Sequence, residues 1–225
     1  MNDSNEILTA ADLRKSYGQG PARVEVLHGL SLSVRRGEFL AVMGPSGCGK
    51  STLLHLMGLM DSPDSGRISL EGQLINGSTA QRTMLRRRSI GFVFQRFNLL
   101  SELSAADNIH ISLQVRHMTD EGRAGELFEK LGIDHVQDRK PMQMSIGEQQ
   151  RVAVVRALAH RPAVLLADEP TGNLDSANSE LLLDHFRDIN RRDGQTIVMI
   201  THSAEAAGRA DRIVHMKDGQ IVDQR

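Results

Sequence analysis

Apolar residues between positions 30 and 60 follow patterns that predict two strands and a helix. Leu30, Leu32 and Val34 alternate with polar residues, as in a strand that has one face in water. Residues 39–43 are apolar without alternation, which is typical of a strand covered on both faces. A glycine-rich loop follows, and leucine and methionine then recur at helical spacing from 52 to 60. A strand, a glycine loop and a helix in this order predict the start of a βαβ unit.

The same pattern returns in the last third of the chain. Residues 164–167 form a short apolar run that ends in two acids, and residues 196–200 form another. Between them, leucine, phenylalanine and isoleucine mark one face of a helix that we expect to begin near Asp175 and to end near Gly194. Residues 217–220 lie between two apolar pairs and predict a tight hairpin turn.

The middle of the chain, about residues 98–161, has a different composition. It favours helices and contains few β-branched runs. We therefore predict a helical subdomain inserted into an α/β core. No internal repeat or low-complexity segment is visible, so residues 1–225 are interpreted as a single domain, with a length sufficient to bury a substantial core.

Charge is balanced, with 27 lysines and arginines against 28 acidic residues. This argues against a nucleic-acid-binding protein that relies on a broad basic face. The local cluster Arg86 to Arg88 is interpreted as the solvated end of a helix. A single cysteine, Cys48, excludes an intramolecular disulfide and favours a reducing compartment. We interpret Cys48 as a tolerated loop residue and not as a reactive thiol.

Two observations bear on membranes. Residues 1–6 are polar and lack the apolar core of a signal peptide. No stretch approaches the ~18 consecutive apolar residues that a spanning helix needs. We therefore expect no direct insertion into a membrane, and any work at a membrane would go through a partner.

Residues 44–51 read Gly-Pro-Ser-Gly-Cys-Gly-Lys-Ser and match the phosphate-loop pattern G-x-x-x-x-G-K-[ST]. Glycines let several N–H groups turn inward around phosphate oxygens, and the next helix presents its N-terminus to the same anion. Lys50 supplies a charge for the terminal phosphates and Ser51 a hydroxyl for Mg²⁺. An ordinary tight turn is disfavoured, because the loop lies between an apolar strand and a helix. The predicted nucleotide contacts here are Gly44, Pro45, Ser46, Gly47, Cys48, Gly49, Lys50, Ser51 and Thr52.

Polar residues end two further predicted strands. Asp168 and Glu169 follow residues 164–167, and carboxylates there face the ligand crevice of an open α/β sheet. We expect Asp168 to bind Mg²⁺ either directly or through one of its ligands, and Glu169 to polarise the attacking water. His202 follows the strand 196–200 and could donate a hydrogen bond to the γ-phosphate. Two acids after an apolar run, or a lone histidine, are often structural, and the phosphate loop is what favours the functional interpretation.

Together these motifs resemble the nucleotide-binding subunits of ABC transporters over essentially the whole chain. The resemblance implies a P-loop NTPase (RecA-like) α/β core with an N-terminal antiparallel β subdomain and an inserted helical signature subdomain. It implies ATP and Mg²⁺ as cofactors and ATP hydrolysis as the activity. Tyr17 matches the aromatic residue that stacks on adenine, and Gln95 matches the glutamine that touches Mg²⁺ and the helical subdomain. Residues 172–175 match the D-loop, and His202 matches the switch histidine.

The resemblance completes the predicted site. The catalytic residues would be Glu169, His202 and Gln95, and the metal-binding residues would be Ser51, Gln95 and Asp168. The signature Leu-Ser-Gly-Gly-Gln corresponds here to Met-Ser-Ile-Gly-Glu at 144–148. The signature opens a helix that contacts the γ-phosphate of ATP held by a second subunit, and Ser145 and Gly147 would make that contact.

Ile146 is a departure from the signature, because the family has glycine there. If this position required φ > 0, isoleucine would cost about 1–2 kcal/mol. We expect Ile146 to adopt ordinary backbone angles and to be tolerated, although turnover could be lower than with glycine. Glu148 replaces the final glutamine of the signature.

Residues 26–29 and 169–175 resemble one branch of the family, which contains lipoprotein-release, macrolide- and peptide-export and FtsE-like cell-division ATPases. The branch implies a permease with few spanning helices and a large extracytoplasmic domain. It also implies a head-to-tail homodimer that closes over two ATP–Mg²⁺, in an exporter or mechanotransmission system. The chain would then be cytoplasmic and held on the inner face of the cell membrane by its permease.

Three alternatives stay open. A cell-division ATPase of this branch would be regulatory and transport nothing. A soluble ABC ATPase acting on ribosomes or DNA usually carries two nucleotide domains or long insertions, for which 225 residues leave no room. A P-loop kinase would have no reason to hold a signature helix and a D-loop. The chain contains no substrate-contacting region from which a transported molecule or a direction could be inferred.

Overall fold

The computed structural model describes residues 5–75 and 78–224, and the apolar runs of these residues form two sheets flanked by helices. The strands are β1 (Glu6–Tyr17), β2 (Val24–Arg35), β3 (Phe39–Met43), β4 (Ser65–Leu70), β5 (Gln73–Leu74), β6 (Ile90–Phe94), β7 (Val164–Asp168), β8 (Thr196–Thr201), β9 (Arg212–Lys217) and β10 (Gln220–Gln224). The helices are α1 (Lys50–Met57), α2 (Thr79–Ser89), α3 (Ala105–Val115), α4 (Arg123–Lys130), α5 (Ile146–Leu158), α6 (Ser176–Asp193) and α7 (Ala204–Ala207).

The larger sheet has the order β10-β9-β3-β8-β7-β6. Strands β9, β3, β8, β7 and β6 are parallel to their neighbours, and β10 returns antiparallel to β9. The carboxyl ends of β3, β6, β7 and β8 therefore lie at the same edge, where an α/β sheet binds its ligand. The hairpin predicted at 217–220 is confirmed as the turn between β9 and β10.

Strand β3 is buried on both faces, as its continuous apolar run predicts. Phe39 and Ala41 belong to one hydrophobic cluster, together with apolar residues of α3 to α6. Leu40 and Val42 belong to a second cluster, together with α1 and the antiparallel sheet. The central sheet thus separates two cores, and its strands alternate side chains between them.

The smaller sheet is antiparallel, with the order β2-β1-β4-β5. In β2 the predicted alternation is confirmed, because Leu30, Leu32 and Val34 are buried and Arg35 is exposed. The pattern did not predict β1, β4 or β5. In β1 the alternation is interrupted at Asp12, which has φ 52° next to a register shift in the pairing with β2. A bulge of this kind removes the period-2 signal.

The helix predicted between β7 and β8 is confirmed as α6. Asp175 caps its N-terminus by accepting a hydrogen bond from the Asn178 main-chain N–H, and Gly194 ends it in the left-handed region with φ 67°. The helix predicted at 52–59 begins two residues earlier, at Lys50, and ends at Met57.

Between β6 and β7 the described secondary structure is helical. It consists of α3, α4, α5 and two short 3₁₀ turns, and both α3 and α4 pack against α5. The boundaries of an inserted subdomain at about 98–161 stay a prediction.

The interpretation of Arg86 to Arg88 as a solvated helix end is correct in part. All three lie in the last turn of α2, and Arg87 and Arg88 are exposed. Arg86 is half-buried, and its guanidinium donates a hydrogen bond of 2.6 Å to the main-chain oxygen of Leu59.

Within the described part of the chain, every helix is too short or too polar to cross a membrane. The expectation about a signal peptide concerns residues 1–6, of which 1–4 lie outside the described residues.

Candidate active site

The phosphate loop connects β3 to α1 and leaves the start of α1 open to an anion. Gly49 caps α1 with φ 98°, and no side chain of the described residues caps the helix in its place. The first-turn N–H groups are therefore available to phosphate oxygens. A Cβ on Gly49 would lie 3.0 Å from Leu27 Cδ2 and 3.1 Å from the main-chain oxygen of Val26, so both the backbone angle and the space favour glycine.

The Lys50 side chain folds back over this loop. Its Nζ donates to the main-chain oxygens of Gly44 (2.8 Å) and Pro45 (2.9 Å), and the residue is buried. A lysine held in this position directs its charge at the loop interior, where terminal phosphates would lie.

A cavity of about 400 Å³ lies at the carboxyl edge of the larger sheet. It brings together residues from the phosphate loop and from the ends of β6, β7 and β8. Its lining consists of Val26, Ser46, Gly47, Gly49, Lys50, Ser51, Thr52, Gln95, Glu169 and His202. Val26 was named in the sequence only as part of a branch motif, and its contact with the cavity comes from the packing of β2 on the loop.

Ser51 and Asp168 are joined at the back of the loop. Ser51 Oγ donates to Asp168 Oδ1 across 3.3 Å. Burial raises the pKa of Asp168, and the hydrogen bond from Ser51 opposes that shift in part. A buried carboxylate next to a hydroxyl offers the hard oxygen ligands that Mg²⁺ prefers, and a cation there would compensate the burial of the charge. These residues therefore fit a magnesium ion.

Glu169 and His202 are in close polar contact, with His202 Nδ1 2.9 Å from Glu169 Oε2. Glu169 has φ 47°, and its N–H donates to the main-chain oxygen of Ile200 in β8. A non-glycine residue in this region is strained, and the bond to β8 holds it there. Nδ1 lies against the carboxylate, whereas His202 Nε2 has no hydrogen-bond partner among residues 5–75 and 78–224, and the His202 side chain is 74% exposed.

Gln95 follows β6 directly and also lines the cavity. Its side chain does not extend freely, because Nε2 donates a long hydrogen bond of 3.4 Å to Oδ1 of Asn173 in the predicted D-loop. Neither the contact nor a role for Asn173 was predicted from the sequence, because the two residues lie far apart in the chain.

Tyr17, the predicted adenine-stacking residue, lies at the end of β1. Its hydroxyl donates to Asp61 Oδ2 (3.1 Å) and is also hydrogen-bonded to the Thr52 side chain. Lys15 Nζ lies 5.1 Å from the ring centroid, and the residue is 43% exposed. The structure thus places Tyr17 next to the start of α1, although its ring does not line the cavity. Stacking on adenine stays a prediction.

Ser145 and Gly147 lie at the start of α5 and outside the cavity lining. Ser145 Oγ accepts from the Glu148 N–H (3.2 Å), and Glu148 Oε2 accepts from the Ser145 N–H (2.7 Å). Ser145 and Glu148 thus form a capping box, and the Ser145 side chain is also hydrogen-bonded to the Glu148 carboxylate. The Ser145 N–H, and His135 Nε2 at 2.8 Å from Glu148 Oε1, lower the pKa of Glu148 to about 2.

Ile146 is the first residue of α5 and does not have a positive φ. The expectation that it occupies ordinary backbone space is confirmed. The residue is 53% exposed, so the described residues of the chain leave space for a branched side chain there.

Two residues of α5 that the sequence analysis did not single out connect the loops. Gln150 is fully buried, and its Nε2 donates to the main-chain oxygens of Pro170 (2.8 Å) and Phe94 (3.4 Å). Arg156 donates to the main-chain oxygens of Phe97 and Asn98. A glutamine on the core-facing side of a helix is the signal that could have identified Gln150.

The chain is similar in sequence to a known protein family and to several of its characterised members. The model of a family described as ABC transporter matches residues 27–172. The chain is 46% identical over 224 residues to a lipoprotein-releasing system ATP-binding protein, LolD, of Bordetella pertussis, covering 98% of this chain and 97% of that protein. It is 45% identical over 222 residues to a macrolide export ATP-binding/permease protein, MacB, of Syntrophobacter fumaroxidans, covering 96% of this chain but 31% of that protein.

Solved structures agree with these matches. An ATP-binding cassette determined as a dimer, in a post-hydrolysis state with ADP and Pi bound, has a TM-score of 0.89 and 35% sequence identity to this chain. That comparison covers 97% of this chain and 98% of the other.

Proposed function

This chain belongs to the ABC transporter family and is an ATPase of that family, and from that premise we propose that it powers a separate membrane permease by closing as a head-to-tail homodimer over two ATP–Mg²⁺. Its relatives named LolD and MacB favour a permease of the lipoprotein-releasing or macrolide-export type. The chain would lie on the inner face of the membrane, held there by that permease.

The observation that carries the proposal is that one chain holds only part of the site. The cavity unites the phosphate loop with Gln95, Glu169 and His202, whereas Ser145 lies outside its lining, at the start of α5. The N-terminus of a helix is suited to an anion. A second copy that presents its α5 to the cavity of the first would complete both sites at once.

The residues around the cavity can perform phosphoryl transfer to water. Lys50 and the first-turn N–H groups of α1 would hold the phosphate oxygens, and Glu169 would accept a proton from the attacking water. As the oxygen of water bonds to the γ-phosphorus, the bond from that phosphorus to the bridging oxygen breaks, which yields ADP and phosphate. His202, oriented by Glu169 through Nδ1, would present Nε2 to the γ-phosphate.

Ser51, Asp168 and Gln95 would hold Mg²⁺ through oxygen atoms. The ion, when bound, neutralises charge on the β- and γ-phosphates.

A surface between α2 and α3 is suited to the permease. Its apolar side chains are exposed, and they are Met84, Leu100, Ile111 and Val115. The side chain of Arg116 donates to the main-chain oxygens of Arg86 and Arg87, which holds the ends of α2 and α3 together. We call these four apolar residues the α2–α3 surface. Each of these exposed apolar side chains would be available to a partner protein, and a shared binding site at the α2–α3 surface is part of the proposal.

Arginines surround the α2–α3 surface without acidic partners. Arg86, Arg87, Arg116 and Arg156 form no ion pair with any residue in 5–75 or 78–224. Burial, together with the neighbouring charges, lowers the pKa of Arg116 to about 10. Because uncompensated positive charge attracts carboxylates, the permease segment that docks here would carry both apolar and acidic residues.

The nucleotide part of the proposal is tested with Glu169→Gln. We expect this variant to retain ATP, to form a dimer in Mg²⁺–ATP detected by light scattering, and to hydrolyse ATP at least ~100-fold more slowly. Glu180→Gln, which changes an exposed acid on α6, is the matched control and should hydrolyse at the parent rate. Adding Ser145→Ala to Glu169→Gln should abolish the dimer. Hydrolysis by Glu169→Gln at the parent rate, or a dimer that persists without Ser145, would contradict the proposal.

The partner is tested with Arg87→Glu, which reverses an exposed charge beside the α2–α3 surface. Co-purification with the permease from membranes should be lost, whereas ATP hydrolysis by the isolated variant should be unchanged. Arg35→Glu, on an exposed part of β2, is the control and should leave both properties intact. If Arg87→Glu still co-purified with the permease, the α2–α3 surface would be excluded as the permease-binding site.

A further inference from the structure

We propose that Asn173 is a positioning residue that turns the side-chain amide of Gln95 so that its oxygen, and not its NH₂ group, is left for a metal ion. The inference rests on the function proposed above, since it concerns Gln95 as a ligand of Mg²⁺. It assigns a task to Asn173, which lies in the predicted D-loop and does not line the cavity.

The two residues face each other across adjacent parallel strands. Gln95 follows β6 and Asn173 lies five residues after the end of β7, and these strands pair so that Phe94 is opposite Asp168. Asn173 Nδ2 donates to the main-chain oxygen of Gln95 (2.9 Å), and Asn173 Oδ1 accepts from Gln95 Nε2 (3.4 Å). One side chain therefore contacts both the backbone and the side chain of the same glutamine.

The first of these bonds determines the orientation of both amides. A main-chain oxygen can only accept, so the atom of Asn173 that faces it has to be the NH₂ group. The other end of the Asn173 amide is then an oxygen, which also only accepts. The atom of Gln95 facing that oxygen must therefore be its NH₂ group, and Gln95 Oε1 is the end that remains. This reasoning does not depend on distinguishing nitrogen from oxygen in either side chain.

The orientation matters because Mg²⁺ binds oxygen and is repelled by an NH₂ group. A glutamine side chain that rotates freely presents either end to the cavity. When the NH₂ end is held in place, the oxygen already faces the cavity before the ion arrives, and no binding is lost to the wrong orientation. A second residue supports a metal ligand in this way.

Gly172 provides the space in which Gln95 lies. A Cβ at this position would be 2.8 Å from Gln95 Nε2, 3.2 Å from Cδ and 3.3 Å from Cγ. Gly172 does not have a positive φ, so alanine adds no backbone strain here. Since the atoms in the way belong to a flexible side chain, Gly172→Ala should displace the amide of Gln95 and leave the fold intact.

A merely structural role for Asn173 predicts a different result. If Asn173 only tied the two loops together, its removal would lower stability and leave the response to metal unchanged. Asn190 provides the comparison, because its side chain also donates two hydrogen bonds to main-chain oxygens, those of Gly37 (2.8 Å) and Gln195 (2.9 Å). These bonds lie at the start of β8, at the opposite edge of the sheet from the cavity.

The experiment measures the Kd for ATP by calorimetry, in EDTA and in Mg²⁺, in a Glu169→Gln background that prevents turnover. The readout is the factor by which Mg²⁺ tightens binding. Asn173→Ala and Gly172→Ala should each reduce that factor about fivefold, the size of one hydrogen bond, with the Kd in EDTA within about twofold of the parent. Asn190→Ala should lower the Tm and keep the full factor.

A double variant tests whether Asn173 acts through Gln95. Gln95→Ala combined with Asn173→Ala should match Gln95→Ala alone, because the amide that Asn173 orients is gone. A parent-like Mg²⁺ factor in Asn173→Ala and Gly172→Ala, with a reduced factor in Gln95→Ala, would overturn the inference and leave the proposed function standing. Failure of every variant, and of the parent, to bind ATP would overturn both.

Discussion

Gly147 in the signature segment lies directly against Asn178 of α6, so closely that a Cβ on Gly147 would be 2.1 Å from Asn178 Oδ1. Asn178 cannot easily move away, because its side chain donates to both carboxylate oxygens of Asp175 (3.0 Å each) and accepts from Arg151. Helices α5 and α6 are therefore in contact within one chain, at a glycine that a larger residue can replace only by displacing Asn178.

Gly147→Ala should destabilise the protein by about 1–3 kcal/mol, the usual cost of an added methyl in a site without space. Thermal unfolding measures the effect. The matched control is Ile146→Ala, one residue earlier in the same helix, where the side chain is exposed and the change should be close to neutral. Equal Tm values for Gly147→Ala and Ile146→Ala would mean that α5 and α6 can move apart with no loss of stability.

Asp168→Asn should make the nucleotide-free protein more stable, because burial raises the pKa of Asp168 and thereby penalises its charge. The penalty is absent below the unfolded pKa of 3.8, so the advantage of asparagine should appear as pH rises above about 4 and be complete at pH 7. We expect a Tm about 2–4 °C higher at pH 7.

The same variant should lose the extra stability that Mg²⁺–ATP gives to the parent. Asp138→Asn, at an exposed acid, should change neither quantity. A lower Tm for Asp168→Asn without nucleotide would show that the charge of Asp168 is compensated within the chain.

Glu148→Ala should cost about 1 kcal/mol at pH 7, since it removes one half of a capping box. The pKa of Glu148 is about 2 in the folded protein against 4.5 when unfolded. The charged form is thus favoured by folding, and its contribution is complete above pH 4.5 and is lost as pH falls toward 2. Urea unfolding of parent and variant should accordingly converge between pH 7 and pH 3. A constant difference over that range would exclude the ionised carboxylate as its source.

Cys48 should resist alkylation in the folded protein, because the residue is 5% exposed and its Sγ packs against Gly44. We expect maleimide to label the thiol in urea and hardly at all in buffer, as measured by intact mass. Complete labelling of the native protein within minutes would show that the phosphate loop opens readily.

Much of the site could be predicted from the sequence because strand ends decide where side chains lie. The apolar runs before Lys50, Asp168 and His202 are parallel neighbours in the sheet, so their ends had to meet at one edge. Strand β6 was not predicted, since its short run contains Gly91. A Cβ there would lie 2.4 Å from the main-chain oxygen of Ala157, so this glycine is required by packing and not by a turn.

The sequence could not predict the contacts between residues that lie far apart in the chain. The hydrogen bonds between Gln95 and Asn173, and the contact between Gly147 and Asn178, join residues separated by tens of positions, and no local periodicity encodes them. They depend on how α5 and the loop after β7 pack together. Tyr17 shows the same limit, because its hydrogen bond to the Thr52 side chain joins β1 to the start of α1, which lie far apart in the sequence.

Helix α5 donates to main-chain oxygens at the ends of β6 and β7, through Gln150 to Phe94 and Pro170, and to the segment after β6, through Arg156 to Phe97 and Asn98. If a partner displaced the α2–α3 surface, Arg156 would transmit the movement to α5. Because α5 is a continuous helix, the movement would reach Ser145 at its N-terminus. In the proposed complex, a movement of the permease could therefore reach the second subunit through α5 alone, because α5 is hydrogen-bonded to the main chain at Gln150 and at Arg156.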